Sequence, residues 1–191
     1  MPSERPFSAT PAVTLADFTG PGLIIPQLRG GEAASVIKEL AEALQLGNRI
    51  PDALPFYQAA IHREFLAGTD TEAGLAFPHA RMAGLKEVSF AVGRSDVPLR
   101  WGSAAVASVR LVFLLAVPVA AATQYLQVVS GLARLSKDAR MMSRLFEAGE
   151  ASQMLEVLRW VGLGSHARVP DGIGGSVKSE SREKGDPPFS S

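Results

Sequence analysis

A long apolar run over residues 104–123 constrains the fold of this chain more than any other feature. Only three residues interrupt it: Ser108, Arg110 and Pro118. Its most apolar part, 111–122, is 12 residues long, well short of the roughly 20 that a membrane-spanning helix needs. The first half is rich in β-branched and large apolar residues, and alanines follow the proline. The run therefore predicts a buried central strand over 109–117 and then a helix, a pattern typical of an α/β domain.

Amphipathic patterns predict the elements around that strand. Apolar residues recur at helical spacing over 32–46, and Gly47 follows as the expected left-handed C-terminal residue. Asp52 is a candidate N-cap for a second helix that ends near Leu66. Alternation over 88–92 predicts a half-buried strand. Weaker patterns add short strands at 23–25 and 97–101 and helices at about 121–136, 138–148 and 150–160.

Composition narrows the functional classes. Nineteen basic and nineteen acidic side chains cancel, so the chain has no global field that favours nucleic acid or an anionic membrane surface. No cysteine is present, which excludes disulfides, thiolate catalysis and thiolate metal sites. Three histidines offer little material for a histidine-built metal centre, and we expect no metal and no other cofactor. The N-terminal residues lack the apolar core of a signal peptide, so we expect a cytoplasmic protein.

The length of 191 residues fits one domain with short appendages. Residues 1–22 carry prolines and glycines without apolar periodicity and are predicted to form an irregular N-terminal arm. Residues 23–161 hold the patterned elements. Glycine, serine, proline and charged residues dominate 162–191, and such a tail buries too little apolar area to offset its ordering entropy. We therefore expect the C-terminal tail to be disordered.

One stretch, Gly74 to Arg81, presents a single imidazole at the end of a short apolar run. Gly74–Phe77 predicts a buried strand end, and Pro78, which has no backbone N–H, is expected to close the ladder there. His79 would then lie at the rim of a sheet, both rigid and accessible. Histidine can act as nucleophile, acid or base near neutral pH. A lone histidine beside a strand is more often a hydrogen-bonded structural residue, and the pattern alone favours that alternative.

Two arginines close to His79 favour chemistry on an anion. Arg63 offers a planar fork of donors suited to phosphate; alternatively, it is an exposed helix-end arginine bonded to a carbonyl. Arg81 is a second candidate cation. Thr69 offers a hydroxyl that either donates to a bound phosphate or caps a turn. Phosphoryl transfer through histidine needs a neutral ring nitrogen, a partner that fixes the tautomer and donors for the phosphoryl oxygens.

The pattern Arg63-Glu64, Thr69 and Gly74-Leu75-Ala76-Phe77-Pro78-His79 resembles the phosphorylation signature of the fructose–mannitol type IIA proteins of the sugar phosphotransferase system (PTS). That family has a nitrogen-regulatory branch. The similarity continues through 109–118 and the helical Tyr125-Leu126-Gln127 segment, and it covers roughly residues 24–160. It implies a three-layer α/β domain whose mixed β-sheet of about four to six strands is flanked by α-helices.

The resemblance also implies a function. His79 would be the phosphohistidine nucleophile of a phosphotransferase component, with Arg63 stabilising the phosphate and Thr69 beside it. It would accept the phosphoryl group from the histidine phosphocarrier protein HPr and pass it to a IIB domain or hold it as a regulatory signal. No metal or nucleotide is needed, because the phosphohistidine donor already carries the transfer potential.

Two other functions remain open at this point. One is a regulatory binding module of the nitrogen-PTS type, with weak or lost phosphotransfer, that docks a transporter, kinase or phosphatase. The other, a hydrolase that uses His79 as a base, is disfavoured because no paired nucleophile stands in the motif. The chain has no membrane segment or IIB motif, so it cannot transport sugar alone.

Two departures from the family bear on that choice. Tyr125 stands where many members have a second histidine, and a phenol donates a hydrogen bond without sharing the proton chemistry of an imidazole. Asp70 and Glu72 occupy a turn that is usually glycine-rich, and carboxylates that faced the site would repel a phosphoryl group. His62 adjoins Arg63, but adjacent helical side chains point apart, so we do not expect His62 to compensate.

The remaining chemistry-bearing residues have plainer expected roles. Glu64 is expected to support a local ion pair. Trp101 and the Met141-Met142 pair are expected to pack in the core or on the surface rather than to dock a partner. His166 lies in the predicted tail, and we expect no role for it.

Overall fold

The computed structural model describes residues 13–102 and 109–164. Within them the chain forms a mixed sheet of five strands flanked by five α-helices, which confirms the predicted fold class. The strands are β1 (Ile24–Ile25), β2 (Leu75–Ala76), β3 (His79–Met82), β4 (Ser89–Leu99) and β5 (Val109–Pro118). The helices are α1 (Ala33–Leu46), α2 (Ala53–Leu66), α3 (Ala122–Lys137), α4 (Ala139–Glu147) and α5 (Ala151–Arg159).

The sheet is built around β5, the strand that the apolar run predicts. β4 pairs with one side of β5 in the antiparallel sense, whereas β2 and β3 follow one another along its other side and are parallel to it. β1 adds to the far side of β4 in the parallel sense. All of β5 is buried except the half-buried Arg110, so the prediction of a buried central strand is confirmed.

Alternate side chains of β5 face two separate helical layers, because strand side chains point to opposite faces in turn. The first set packs with α3, α4 and α5 and comprises Leu111, Phe113 and Leu115. The second set packs with α1 and α2 and comprises Val112, Leu114 and Ala116. Coverage of both faces explains why the run lacks polar alternation. The three C-terminal helices begin and end within one residue of their predicted bounds.

The first helical layer shows one confirmed cap and one wrong prediction. The Asp52 carboxylate accepts a hydrogen bond from the Leu54 N–H at 2.9 Å, as expected of the N-cap of α2. Gly47 was predicted to be left-handed, but its φ is −79°, and Asn48 has φ 55° instead. Asparagine tolerates that conformation. Glycine at position 47 allows Leu23 to approach the backbone closely, because a Cβ atom there would lie 2.6 Å from Leu23 Cδ2.

Strand β4 differs from its sequence prediction in two respects. The alternation over 88–92 predicts a half-buried strand, yet 89–95 is buried on both faces, because helices cover both sides of the sheet. The separate short strand predicted at 97–101 is largely the end of β4 itself, beyond a register irregularity between Arg94 and Leu99. In the part of the chain that the structure describes, no helix has the length and apolar character needed to cross a bilayer.

The two ends of the described chain pack together. The Leu15 N–H donates to the Val161 carbonyl at 3.0 Å, and Leu15 is fully buried in a 3-10 turn. Part of the stretch predicted as an irregular arm, 1–22, thus contributes to the core. Residues 1–12 of that arm, and 165–191 of the predicted tail, lie outside the described residues.

Candidate functional site

The candidate site forms around β3, where the chain returns to the sheet after Pro78. The prediction that Pro78 closes the ladder holds for β2, which ends at Ala76 and is followed by two residues that belong to no strand. It fails beyond Pro78, whose carbonyl accepts from the Leu115 N–H at 2.9 Å, because pairing with β5 resumes at His79 opposite Leu115. Proline lacks only the backbone donor, so its acceptor can still join a ladder. His79, which the sequence predicts at the rim of the sheet, is therefore the first residue of a short strand within it.

The His79 ring is half-buried and has a defined hydrogen-bond partner. Its Nδ1 lies 3.2 Å from the Phe77 carbonyl oxygen. A carbonyl oxygen only accepts, so this contact requires the proton on Nδ1. In the neutral ring the lone pair then resides on Nε2. The backbone of Phe77 thus supplies the tautomer-fixing partner that phosphoryl transfer through histidine needs.

Two side chains flank His79: Tyr125 in α3 and Arg81 in β3. The ring centroids of His79 and Tyr125 lie 5.7 Å apart, with 43° between the ring planes. Arg81 shares a side of β3 with His79, and its Cζ lies 5.2 Å from the centroid of the Tyr125 ring. The Gln124 side chain accepts from the Val88 N–H at 3.1 Å and ties the first turn of α3 to the chain that enters β4. The structure therefore brings the nucleophile candidate, a phenol and a cation together.

Arg63 lies in the last turn of α2, as the sequence predicts. Its Nη1 donates to the Ala67 carbonyl at 3.1 Å, which is the helix-end hydrogen bond that we considered as the plainer alternative. The bond is solvent-exposed, so water can replace the Ala67 carbonyl as the partner of the guanidinium. This contact therefore does not commit Arg63 to one acceptor.

Glu64 is buried, with 6% of its surface exposed, and it joins three donors. Its Oε1 accepts from the Thr69 N–H at 2.7 Å and from the Trp101 indole N–H at 2.8 Å. Its Oε2 accepts from the Thr69 hydroxyl at 2.8 Å. The expected local ion pair is not what the structure shows for Glu64. Trp101 is 2% exposed and packs in the core, as expected.

The Thr69 hydroxyl has a second bond, because it also accepts from the Phe77 N–H at 3.0 Å. Thr69 therefore links the end of α2 to the residue whose carbonyl contacts His79. Sequence reasoning assigned Thr69 either to a phosphate or to a turn and did not anticipate this bridge. The Arg-Glu pair and the later threonine are visible in sequence, but their connection through the backbone of Phe77 is not.

The acidic turn before β2 points its carboxylates toward solvent: Asp70 and Glu72 are both exposed. Thr71 stabilises this turn, since its carbonyl accepts from the Gly74 N–H at 3.0 Å and its hydroxyl contacts the Leu75 carbonyl at 3.3 Å. Gly74 has φ 78°, a conformation that favours glycine. The turn thus depends on Thr71 and Gly74, two residues to which the sequence assigned no such role.

The other candidate residues do not join His79. His62 is exposed on α2, and His166 lies outside the described residues. Met142 is buried in the core. Across residues 13–102 and 109–164, no cluster of three or more His, Cys, Asp or Glu side chains is arranged to hold a metal ion.

Comparisons with known proteins agree on one family. The family model described as "Phosphoenolpyruvate-dependent sugar phosphotransferase system, EIIA 2" matches residues 18–160. A nitrogen regulatory protein of Bradyrhizobium diazoefficiens is 28% identical over 145 residues, which are 75% of this chain and 94% of the relative. The 2-O-alpha-mannosyl-D-glycerate-specific EIIABC component of Escherichia coli is 32% identical over 124 residues, 64% of this chain but 19% of that protein.

Solved structures share the fold. Nitrogen regulatory protein IIA-Ntr from Neisseria meningitidis superposes with a TM-score of 0.68 at 24% identity, covering 75% of this chain and 98% of that one. The mannitol IIA enzyme of Escherichia coli, solved in complex with phosphorylated enzyme IIB, gives a TM-score of 0.62 at 20% identity over 73% and 95% of the two chains.

Proposed function

Because the chain belongs to the EIIA type-2 family of the phosphoenolpyruvate-dependent sugar phosphotransferase system, we propose that it carries a phosphoryl group on Nε2 of His79. The single observation that carries this proposal is the 3.2 Å contact between His79 Nδ1 and the Phe77 carbonyl. That contact places the proton on Nδ1 and leaves the Nε2 lone pair for attack on phosphorus.

The proposed step is a transfer between two imidazoles. A bond forms between His79 Nε2 and phosphorus while the bond from phosphorus to the donor's ring nitrogen breaks. The donor nitrogen keeps the electron pair of that bond, and the donor's other ring nitrogen keeps its proton, so the donor leaves as a neutral imidazole. No oxidant, metal or nucleotide takes part. We propose HPr as the donor, in keeping with the family. The Nδ1 proton stays on His79, hydrogen-bonded to Phe77.

Cationic donors stabilise the transferred group in this proposal. Arg81 already lies beside Tyr125, which contacts the His79 ring, and its guanidinium adds a positive charge next to the phosphoryl oxygens. Arg63 reaches the site by exchanging its exposed bond to Ala67 for a bidentate bond to phosphate. Thr69 remains a candidate site residue.

Exposed apolar side chains adjoin two of the proposed site residues. Phe65 and Leu66, beside Arg63, are 85% and 71% exposed, and Leu126, beside Tyr125, is 57% exposed. Exposed apolar side chains next to a reactive group suit small and transient protein interfaces. We propose that these side chains contact first HPr and then a IIB domain, or a regulated transporter or kinase. We propose that these exchanges take place in the cytoplasm.

We expect incubation with phosphoenolpyruvate and the general phosphotransferase components, HPr included, to add one acid-labile phosphate to the protein. Intact-mass spectrometry before and after mild acid treatment measures this gain. Adding a purified IIB domain then distinguishes the two outputs: rapid loss of the phosphate indicates a transport relay, and retention indicates a regulatory signal. A wild-type protein that stays unmodified beside active donor proteins would eliminate the carrier function.

The regulatory output is the second candidate, and one observation favours it. The Bradyrhizobium nitrogen regulatory protein is matched over 94% of its length, whereas the mannosyl-glycerate EIIABC component is matched over 19%. The described part of this chain thus corresponds to nearly the whole of a regulatory relative. The matched region is only a small part of the sugar-specific relative.

Tyr125 offers a prediction within the site. The Tyr125 ring lies beside the His79 ring, and we propose that its hydroxyl donates to an oxygen of the transferred phosphoryl group. One neutral hydrogen bond contributes about 0.5–1.5 kcal/mol. We therefore expect Tyr125→Phe to slow phosphoryl transfer by roughly two- to tenfold and Tyr125→His to preserve or raise the rate. Rapid-quench measurement of transfer from phosphorylated HPr tests both variants. An unchanged rate in Tyr125→Phe would assign Tyr125 to packing only.

A further inference from the structure

We infer that buried Glu64 is a positioning residue for His79, acting through the Thr69 hydroxyl and the backbone of Phe77. The inference deepens the proposed function, on which its relevance to phosphoryl transfer rests. It concerns the tautomer of the free protein, however, and that state is measurable without any phosphate donor.

The chain of contacts is continuous. Glu64 Oε2 accepts from the Thr69 hydroxyl at 2.8 Å, and the Thr69 oxygen accepts from the Phe77 N–H at 3.0 Å. The Phe77 carbonyl oxygen in turn lies 3.2 Å from Nδ1 of His79, two residues further along the chain. The residue whose carbonyl fixes the His79 tautomer is therefore itself fixed at its N–H. These three contacts form a relay from Glu64 through Thr69 and Phe77 to His79.

Glu64 is held rigidly enough to anchor the relay. All three of its hydrogen bonds are donated to it, which suits the acceptor-only carboxylate. Glu64 lies on α2, Thr69 lies in the loop that follows α2, and Trp101 lies just after β4. The Glu64 carboxylate therefore joins three separate segments of the chain. Buried networks whose members are all satisfied rigidify the groups that they join.

The hydrogen-bond capacity of Thr69 favours this role over direct phosphate binding. A hydroxyl has one proton and two lone pairs. In this structure the proton is given to Glu64 and one lone pair receives the Phe77 N–H. Only acceptor capacity remains, and a phosphoryl oxygen offers no proton to it. Thr69 thus serves His79 by holding Phe77.

The test reads the His79 tautomer directly from ¹⁵N–¹H long-range correlation spectra. They are recorded at about pH 8.5, two units above the ordinary histidine pKa. Loss of the signal in His79→Gln identifies the ring. We expect wild type to be mainly in the Nδ1–H form. Thr69→Val removes both hydroxyl bonds and should lower the ratio of Nδ1–H to Nε2–H forms by roughly two- to tenfold. Glu64→Gln, which replaces one acceptor by an amide donor, should lower it in the same direction.

Two variants control for loss of stability and for side-chain shape. Thr69→Ser keeps the hydroxyl and should restore the wild-type tautomer ratio. Val157→Ala removes buried volume in α5, away from His79, and should lower the unfolding temperature without changing the ratio. A wild-type ratio in folded Thr69→Val and Glu64→Gln would overturn the inference. If the tautomer ratio shifts as expected in Thr69→Val and Glu64→Gln but the wild type accepts no phosphate, only the carrier function is rejected.

Discussion

A His79→Gln variant is expected to accept no phosphate under conditions in which the wild type accepts one. The amide has no nucleophilic nitrogen, so the bond to phosphorus cannot form. The effect should therefore be complete rather than partial. The side chain is half-buried at the start of β3, and glutamine has a similar length, so the fold should survive. Intact-mass spectrometry measures the loss, and circular dichroism checks that the sheet is intact.

The matched control for this variant is His62→Gln. His62 is exposed on α2, and its side chain points away from that of Arg63, as adjacent helical side chains do, so its variant should be phosphorylated as the wild type is. Loss of the phosphate in His62→Gln, or its retention in a folded His79→Gln, would move the phosphorylation site away from β3.

Arg63→Lys is expected to slow transfer from phosphorylated HPr by roughly ten- to a hundredfold, although the charge is kept. The expected loss corresponds to a charge-assisted hydrogen bond of about 1.5–3 kcal/mol. An ammonium group cannot reproduce the planar fork that binds two phosphoryl oxygens at once. Transfer kinetics at several HPr concentrations should show the loss mainly in the rate at saturation, since the arginine acts on the phosphoryl group.

Arg140→Lys is the control for this substitution. Arg140 is exposed on α4, in the helical layer opposite α2, and its replacement should leave transfer unchanged. Thermal unfolding of both variants separates an effect on the end of α2 from an effect on the reaction. If Arg63→Lys transfers at the wild-type rate, the exposed bond to Ala67 is the whole role of Arg63.

Much of the fold follows from the sequence because its signals are local. The apolar run over 109–117 predicts the central strand, Asp52 predicts the start of α2, and apolar periodicity places the three C-terminal helices. Each of these depends on side chains within a few residues of one another. The burial of β4 on both faces was missed, because alternation reports one covered face and the second layer of helices arrives from elsewhere in the chain.

The errors at Gly47 and Pro78 have a common physical cause. Sequence patterns assign conformations by residue type, whereas packing decides which residue of a turn adopts them. Asn48 takes the left-handed position, whereas Gly47 leaves room for Leu23, whose Cδ2 would lie 2.6 Å from a Cβ atom at residue 47. The ladder resumes directly after Pro78 because the neighbouring strand supplies a donor to the Pro78 carbonyl.

For the site, the sequence by itself determined which groups are present: one histidine after a proline, arginines on either side of it, and a tyrosine in place of a second histidine. Their spacing carries the family resemblance, and the family model confirms it. Tertiary structure alone decided which of these groups meet. The contact of Tyr125 with His79, and the relay from Glu64 to Phe77, join residues from separate elements. Such contacts depend on how α2, β3 and α3 pack on β5, and no local pattern encodes that packing.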